Sequence, residues 1–205
     1  ICTGCRSFRG AKERDFIHLK QPAMHLRLNF ADHRRTQEIR LHMQRGEGKQ
    51  KKILLNGVQV QGGSRLFAQF QCVIFSPDDR ELIRSGPEKR RGFIDLCGSQ
   101  LSPAMLGVLR RFDQLTPQRN AVLKQIQTGR AGKQDLWEWD LQLAAHGSLL
   151  TCLRYAYVQQ LASVCTKLYG KITDEHEKLT VKYRSNLFRN SEIPKSPTAE
   201  MQQYY

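Results

Sequence analysis

The sequence predicts an α+β fold, with an antiparallel-rich β lobe followed by a helical hairpin or bundle. Apolar and polar residues alternate with period two in the first third of the chain, and an Asn56-Gly57 pair lies between two such segments. From Pro87 onward, apolar residues recur instead at spacings of three and four, which is typical of packed helices. A run of strands followed by a run of helices is the α+β pattern.

Four alternating segments predict the strands of the antiparallel sheet. A basic loop that contains glycine, residues 45–52, precedes the third strand, and Asn56-Gly57 predicts a two-residue hairpin after it. A short helix is predicted at residues 65–69. Residues 71–75, QCVIF, lack alternation and predict a strand that is buried on both faces. The alternating segments are residues 25–30, 38–43, 52–55 and 58–60.

The run that follows, FSPDDRELIRSGPEKRRGFID at residues 75–95, opens with a helix start signal. Ser76 and Pro77 suit the N-cap and the first helical position, and Asp78 and Asp79 follow in the first turn. The two carboxylates either orient a metal-bound water or contact magnesium, or they only complement the helix dipole. Strand-to-helix junctions of this kind are where α/β proteins bind phosphates and magnesium.

A second start signal, SGPE, follows within a few residues, at residues 85–88. The bases Lys89, Arg90 and Arg91 come directly after it. They either clamp phosphates or the carboxylates of a partner, or they form a solvated basic face. The backbone is therefore expected to turn sharply here while it presents acids and then bases.

Two long helices are predicted next, joined by a glycine-containing turn into an antiparallel arm. The first starts at Pro103, and Pro117 inside it predicts a kink near Asp113. The second begins near Gln134 and runs to Ile172. We favour a short packed arm over a long free coiled coil, because each apolar seam covers only about three heptads, although a compact bundle has the same pattern. The seams are Met105, Val108, Phe112, Leu115, Val122 and Ile126 in the first helix, and Leu150, Leu153, Tyr157, Leu161, Val164 and Leu168 in the second.

The chain of 205 residues is strongly basic, with a net charge of +14 and a pI of about 9.8. This balance favours a polyanionic partner, with nucleic acid as the leading class, over a merely soluble basic protein. Arg45, Lys49 and Lys51, in the loop before the third strand, are candidate contacts to DNA or to a partner. Arg6 and Arg9 belong to a second basic cluster, which lies at a phosphate or a DNA backbone or is a plain charged surface.

Several other classes of site are not indicated. No run of about 18 apolar residues occurs, so we expect no membrane association. Four of the six cysteines lie singly in apolar segments, and only Cys2-x-x-Cys5 has the spacing of metal ligands. Because there is no second such pair and the histidines are scattered, we expect no metal site and a reducing, cytoplasmic compartment. No G-x-x-x-x-G-K-[ST] phosphate loop and no nucleophile motif occurs. Trp137 and Trp139 either stack on exposed bases or, as we favour, pack in the core.

The chain resembles the RecF family of bacterial DNA replication and repair proteins over nearly its whole length. The segments that carry the resemblance are QCVIFSPDDRELIRSGPEKRRGFID, QLSPAMLGVLRRFDQLTPQRNAVLKQ and DLWEWDLQLAAHG. Members of that family are ABC-type ATPases related to the SMC proteins. In them a head carries an inserted helical lid, and ATP binding brings two heads together on DNA. RecF acts with RecO and RecR to load the recombinase at single-strand gaps.

The resemblance implies three regions: a partial first lobe of the ATPase head at residues 1–86, the lid at residues 87–174, and a return strand with the start of the second lobe at residues 175–205. It implies ATP and magnesium as cofactors of the complete protein, and DNA, RecR- and RecO-type proteins and a second copy as partners. The nucleotide-proximal residues that it implies are Ser76, Asp78, Asp79, Arg6 and Arg9. The DNA- or partner-binding candidates are Arg45, Lys49, Lys51, Lys89, Arg90 and Arg91.

Two functions are therefore open. The first is part of a RecF-like DNA-repair ATPase from the bacterial cytoplasm, whose phosphate loop is expected before Ile1 and whose signature and Walker B motifs are expected after Tyr205. On that view we expect this chain by itself neither to bind nucleotide tightly nor to hydrolyse ATP. The second is a stand-alone basic helical module that binds nucleic acid without using a nucleotide.

Overall fold

The computed structural model describes residues 11–31, 33, 35–46, 51–67, 69–185 and 193–202. The chain divides into two compact units, Ile1–Arg80 and Glu81–Tyr205. The first unit contains the sheet and the second contains the long helices. The division lies after Arg80, a few residues before Pro87, where the sequence pattern changes from strands to helices.

The first unit contains a four-stranded sheet in the order β1-β2-β3-β4, with every neighbouring pair antiparallel. The predicted sheet is confirmed, and β1 and β2 extend beyond the predicted alternating segments. A single helical turn, α1 (Ser64–Phe67), follows the sheet where a short helix was predicted. The strands are β1 (Ala23–Ala31), β2 (Thr36–Gln44), β3 (Lys51–Leu55) and β4 (Val58–Val60).

The turn between β3 and β4 adopts the left-handed conformation that its sequence predicts. Asn56 and Gly57 have φ angles of 51° and 81°, which suit the two central positions of a type I′ hairpin. Asn56 also joins the hairpin to β2, because its Oδ1 accepts the N–H of Glu38 and its own N–H donates to the Glu38 carbonyl, both at 2.8 Å.

One face of the sheet forms the core of the first unit. Period-two alternation places every second side chain of β2 on that face, and these side chains are buried. Phe16, Leu28 and Phe30 are among the half-buried side chains that pack around them. The buried cluster comprises Ile17, Ile39, Leu41, Met43, Ile53, Val60 and Leu66.

Residues 71–75 differ from the prediction of a buried strand. No strand is assigned to them, and Val73 and Phe75 are 99% and 93% exposed. Their apolar composition suits a strand, but a strand also needs a neighbour that binds its backbone. Val73, Ile74 and Phe75 have no backbone hydrogen bond to any other residue that the structure describes. Composition thus indicated the conformational preference and not the pairing.

The second unit is helical. Its long helices match the predicted starts at Pro87 and Pro103 and the predicted end at Ile172. A short 3-10 turn, Lys133–Leu136, precedes the longest helix, which therefore begins at Trp137, slightly later than predicted. The helices are α2 (Glu81–Arg84), α3 (Pro87–Leu101), α4 (Pro103–Gln127), α5 (Trp137–Ile172) and α6 (Ala199–Gln202).

Helices α3, α4 and α5 all pack against one another, so the unit is a small bundle rather than a two-helix arm. Its apolar centre is formed by Met105, Leu109 and Leu150. Helix α4 is assigned as one continuous helix through Pro117, so the proline does not end it. Interior prolines are tolerated where the surrounding packing offsets the lost hydrogen bond.

The second predicted seam is buried only in its first part. Leu150 is 1% exposed, whereas Val164 and Leu168 are 55% and 54% exposed. Helix α5 has 36 residues against 25 in α4, so it extends beyond the partner that covers its N-terminal half. Within the described part of the chain, no helix is both long and apolar enough to cross a membrane.

The segment after α5 also differs from prediction. Residues 178–185 are assigned to neither a helix nor a strand, although the resemblance implies a return strand within residues 175–205. Thr166 of α5 donates its hydroxyl to the Leu179 carbonyl at 3.1 Å, so the segment contacts the helix side chain instead of a sheet. A short helix, α6, lies near the end of the described residues.

Candidate functional site

The junction that opens with Ser76 forms a tight turn held by Asp79. A 3-10 helix, Pro77–Arg80, begins at the predicted proline and contains Asp78. The Asp79 Oδ2 accepts the backbone N–H of Ser76 at 2.5 Å, and the Asp79 N–H donates to the Ser76 carbonyl at 3.0 Å. One carboxylate oxygen of Asp79 is therefore used by its own turn. Its other oxygen, Oδ1, has no hydrogen bond to a described residue.

The basic run at the start of α3 separates into two roles. Arg90 Nη1 donates to the carbonyl of Ser85 at 2.7 Å and more weakly to that of Leu82 at 3.5 Å. Its guanidinium thus caps the C-terminal carbonyls of α2, where a positive charge is favourable. Lys89 and Arg91 are exposed to solvent on either side of it.

The candidate DNA- or partner-binding residues of the first unit also differ in their surroundings. Arg45 Nη2 donates to the Ile17 carbonyl at 2.7 Å, so this cation connects the end of β2 to the segment before β1. Lys51 lies opposite Met43, whose side chain is in the core, so Lys51 is on the core side of β3 and half-buried. Its neighbour Lys52 is the exposed cation on the outer face. Arg6, Arg9 and Lys49 lie outside the described residues.

The outer face of the sheet is a basic surface that the sequence analysis missed. Arg27 of β1 and Arg40 of β2 contact opposite oxygens of Glu38, at 2.8 Å and 2.6 Å. Lys52 of β3 lies on the same face, and Arg27 and Arg40 are directly opposite each other in the register. The alternation of β1 and β2 was recognised, so their polar positions carried the signal for this surface.

A partly buried ion pair connects α3 with α5. Arg154 Nε and Nη2 donate to Asp95 Oδ1 and Oδ2, each at 2.7 Å, and both side chains are about 15% exposed (15% and 14%). Burial alone would lower the pKa of Arg154, but the hydrogen bond and charge of Asp95, together with the Tyr183 phenol, raise it above its ordinary value. Arg154 is therefore a permanent cation held inside the bundle.

The two tryptophans differ in exposure. Trp137 is 74% exposed, so our prediction that it packs in the core is wrong, while Trp139 is half-buried. Trp137 is the first residue of α5, directly after the 3-10 turn Lys133–Leu136. Among the residues that the structure describes, no group of three His, Cys, Asp or Glu side chains could hold a metal ion.

Comparison with known proteins gives a consistent result. The DNA replication and repair protein RecF of Lachnoclostridium phytofermentans is 32% identical over 187 residues, which cover 91% of this chain and 51% of the relative. The protein of the same name from Desulforamulus reducens is 34% identical over 184 residues, covering 90% and 48%. The chain thus spans about half the length of these curated relatives. No family model matches the sequence.

Solved structures agree with these relatives. The structure of the recombination mediator protein RecF-ATPrS in the RecFOR pathway has a TM-score of 0.84 and 26% identity, covering 98% of this chain and 53% of that chain. The structure of RecF-ATP in the same pathway has a TM-score of 0.80 at 24% identity, which supports the fold alone.

The antiparallel lobe and the helical unit therefore match the ABC ATPase-like α+β fold of RecF, as predicted. More particularly, the chain belongs to the RecF family.

Proposed function

We propose that this chain is the part of a RecF-like DNA-repair protein that contacts the DNA backbone through exposed cations near the start of α3. The observation that carries the proposal is the exposure of Lys89 and Arg91 while Arg90 between them is engaged with α2. A polyanion can reach the two exposed charges without breaking the junction. The N-terminus of α3 adds a positive partial charge at the same place.

The overall charge supports an electrostatic, sequence-independent mode of binding. A net charge of +14 attracts phosphates in general, and backbone contacts carry no sequence information. RecF relatives are DNA replication and repair proteins, which makes DNA the natural polyanion. Arg84, the last residue of α2, is a further exposed base shortly before α3. We place this activity in the bacterial cytoplasm, at single-strand gaps, together with RecR and RecO.

In the complete protein we propose that ATP and magnesium drive two copies together on DNA. Ser76, Asp78 and Asp79 would then lie near the nucleotide, with Arg6 and Arg9. The Oδ1 atom of Asp79 is suited to orienting a metal-bound water, because only Oδ2 is used to hold the turn. No G-x-x-x-x-G-K-[ST] loop for the phosphates of the nucleotide occurs in this chain, so we do not expect the chain to bind the cofactor tightly.

The test is the salt dependence of DNA binding by the purified chain. Fluorescence anisotropy with a labelled gapped duplex should give an affinity that falls as salt rises, with a log–log slope of roughly minus one per phosphate contact. The double variant Lys89→Gln/Arg91→Gln should lower the slope by about two and weaken binding at low salt by about tenfold or more. A flat salt dependence would reject the proposal.

The matched control is Lys167→Gln/Lys171→Gln, which removes the same charge from exposed positions near the end of α5. It should change the affinity much less than the α3 variant does. Equal losses in the two variants would mean that only net charge matters and that α3 is no interface.

Reading the encoding DNA upstream of Ile1 tests the alternative function. A phosphate-loop sequence there supports the ATPase, whereas a start codon supports a stand-alone module.

A further inference from the structure

Two histidines face each other across the outer side of the sheet. His25 of β1 and His42 of β2 are directly opposite in the register, and their Nδ1 atoms are 3.0 Å apart. Their ring centroids are separated by 4.2 Å with an interplanar angle of 36°. His25 is exposed and His42 is half-buried, so solvent and ligands can reach the pair.

The groups around this pair are mostly cations. Arg27 follows on β1, Arg40 on β2, and Lys52 of β3 lies directly opposite His42. Glu38 is the acid of β2 on this face, and both of its oxygens are used by the two arginines. These side chains share the outer face because residues two apart along a strand point to the same side.

The distance between the rings limits their protonation. At 3.0 Å one Nδ1 donates a hydrogen bond to the lone pair of the other, so a single proton lies between them. If both nitrogens carry a proton, the contact must open, and the added positive charge joins the three nearby cations. An anion that accepts from both imidazoles would offset this charge. The cations also disfavour a metal ion between the rings.

We propose that the outer face of the sheet binds backbone phosphates of DNA, and that the His25–His42 pair makes this binding stronger as the pH falls. This inference rests on the proposed DNA binding, but it concerns a different surface. Phosphate binding and protonation of the pair support each other, because a phosphate oxygen accepts the Nδ1–H of a protonated ring in place of the other ring's lone pair. At most one proton per histidine is taken up on binding, which gives about tenfold in affinity per pH unit for each proton.

The experiment compares DNA affinity at constant salt between about pH 8 and about pH 6, where histidine titrates. A short labelled duplex is the probe, and anisotropy is the readout. Wild-type affinity should rise by about tenfold or more across this range. The variant His25→Gln/His42→Gln should keep its affinity at high pH and lose most of the rise. His18→Gln, which removes an exposed histidine outside the sheet, should retain the full rise.

The outcomes separate this inference from the proposed function. DNA binding whose pH dependence is the same in wild type and in the double variant overturns the inference and leaves the α3 interface intact. A rise lost in the double variant with binding retained by Lys89→Gln/Arg91→Gln supports the sheet face and contradicts the α3 interface. Binding absent at every pH rejects both.

A second readout uses inorganic phosphate instead of DNA. Imidazole NMR resonances of His25 and His42, and not that of His18, should shift on addition of phosphate at low pH. Shifts with phosphate but no effect on DNA affinity would mean that the face binds a free anion only, which contradicts the DNA proposal. Circular dichroism of each variant shows that the sheet is still folded.

Discussion

Asp95 of α3 and Arg154 of α5 form a two-point ion pair, in which both N–O distances are 2.7 Å. The two residues are far apart in sequence, and the pair connects the helix that begins at the junction with the longest helix of the bundle. Asp95 ends the sequence block that marks the resemblance to RecF. The pair therefore links that block to the bundle core.

Removing one partner of this pair should strongly destabilise the helical unit. Asp95→Asn leaves the Arg154 cation partly buried without its counter-charge, and we expect a loss of about 3 kcal/mol in the free energy of unfolding. Both tryptophans lie in α5, so tryptophan emission during denaturation reports on this unit. Arg119→Gln, which breaks the more exposed pair with Asp140, should cost about 1 kcal/mol or less. A cost for Asp95→Asn no larger than that of Arg119→Gln would contradict the role of burial.

Tyr157 should titrate late. Burial, together with the neighbouring Cys97, raises the pKa of its phenol from its ordinary value of 10.0 to about 12. The neutral phenol is thus favoured by the folded state, so its contribution to stability is present below pH 10.0 and is lost as the pH rises to about 12. The phenolate absorbance of wild type minus that of Tyr157→Phe isolates this titration. A midpoint at the ordinary value would show that the ring is solvated in the bundle.

The N-cap of α4 offers a smaller and well-defined test. Ser102 Oγ accepts the backbone N–H of Met105 at 3.2 Å, which satisfies one of the free donors at the start of the helix. Ser102→Ala should lower the free energy of unfolding by about 1 kcal/mol, and denaturation monitored by tryptophan emission measures this loss. Ser102→Asp retains an acceptor and should stay close to wild type. If the two variants lose equal stability, the hydroxyl is not acting as a cap.

Replacing Asn56 by alanine should destabilise the β3–β4 turn. Asn56→Ala loses the hydrogen bond to Glu38, and alanine disfavours the positive φ of 51° at this position. We therefore expect the free energy of unfolding to fall by about 2 kcal/mol. Asn56→Gly loses only the hydrogen bond and should cost about half as much. Amide hydrogen exchange at Glu38 measures both effects. Slower exchange in Asn56→Ala than in Asn56→Gly would reverse the predicted order.

The purified chain should not turn over ATP. No G-x-x-x-x-G-K-[ST] sequence occurs in it, so it has no loop of that type to hold the triphosphate. Phosphate release measured with magnesium and DNA present should remain at background. Turnover that magnesium chelation abolishes would require a phosphate site that the sequence does not indicate.

Local sequence signals were sufficient to predict the backbone conformation of most elements. Alternation predicted β1 and β2, Asn56-Gly57 predicted the hairpin, and Pro87 and Pro103 marked the starts of α3 and α4. These signals succeed because each depends on residues within one turn or one strand, where steric limits and local hydrogen bonds act directly. The resemblance to RecF added the family, which no local pattern determines.

The three-dimensional packing of the strands and helices was needed to show which of these side chains meet and which remain exposed. In the structure Lys52 lies on the outer face of the sheet and Lys51 on its core side. Arg90 donates a hydrogen bond to a carbonyl at the end of α2, and Trp137 is exposed. The packing also brings together Asp95 with Arg154, and His25 with His42, across gaps that no short pattern spans. The physical reason is that burial and pairing depend on strand register and helix packing, since a shift of one residue along a strand moves its side chain to the opposite face.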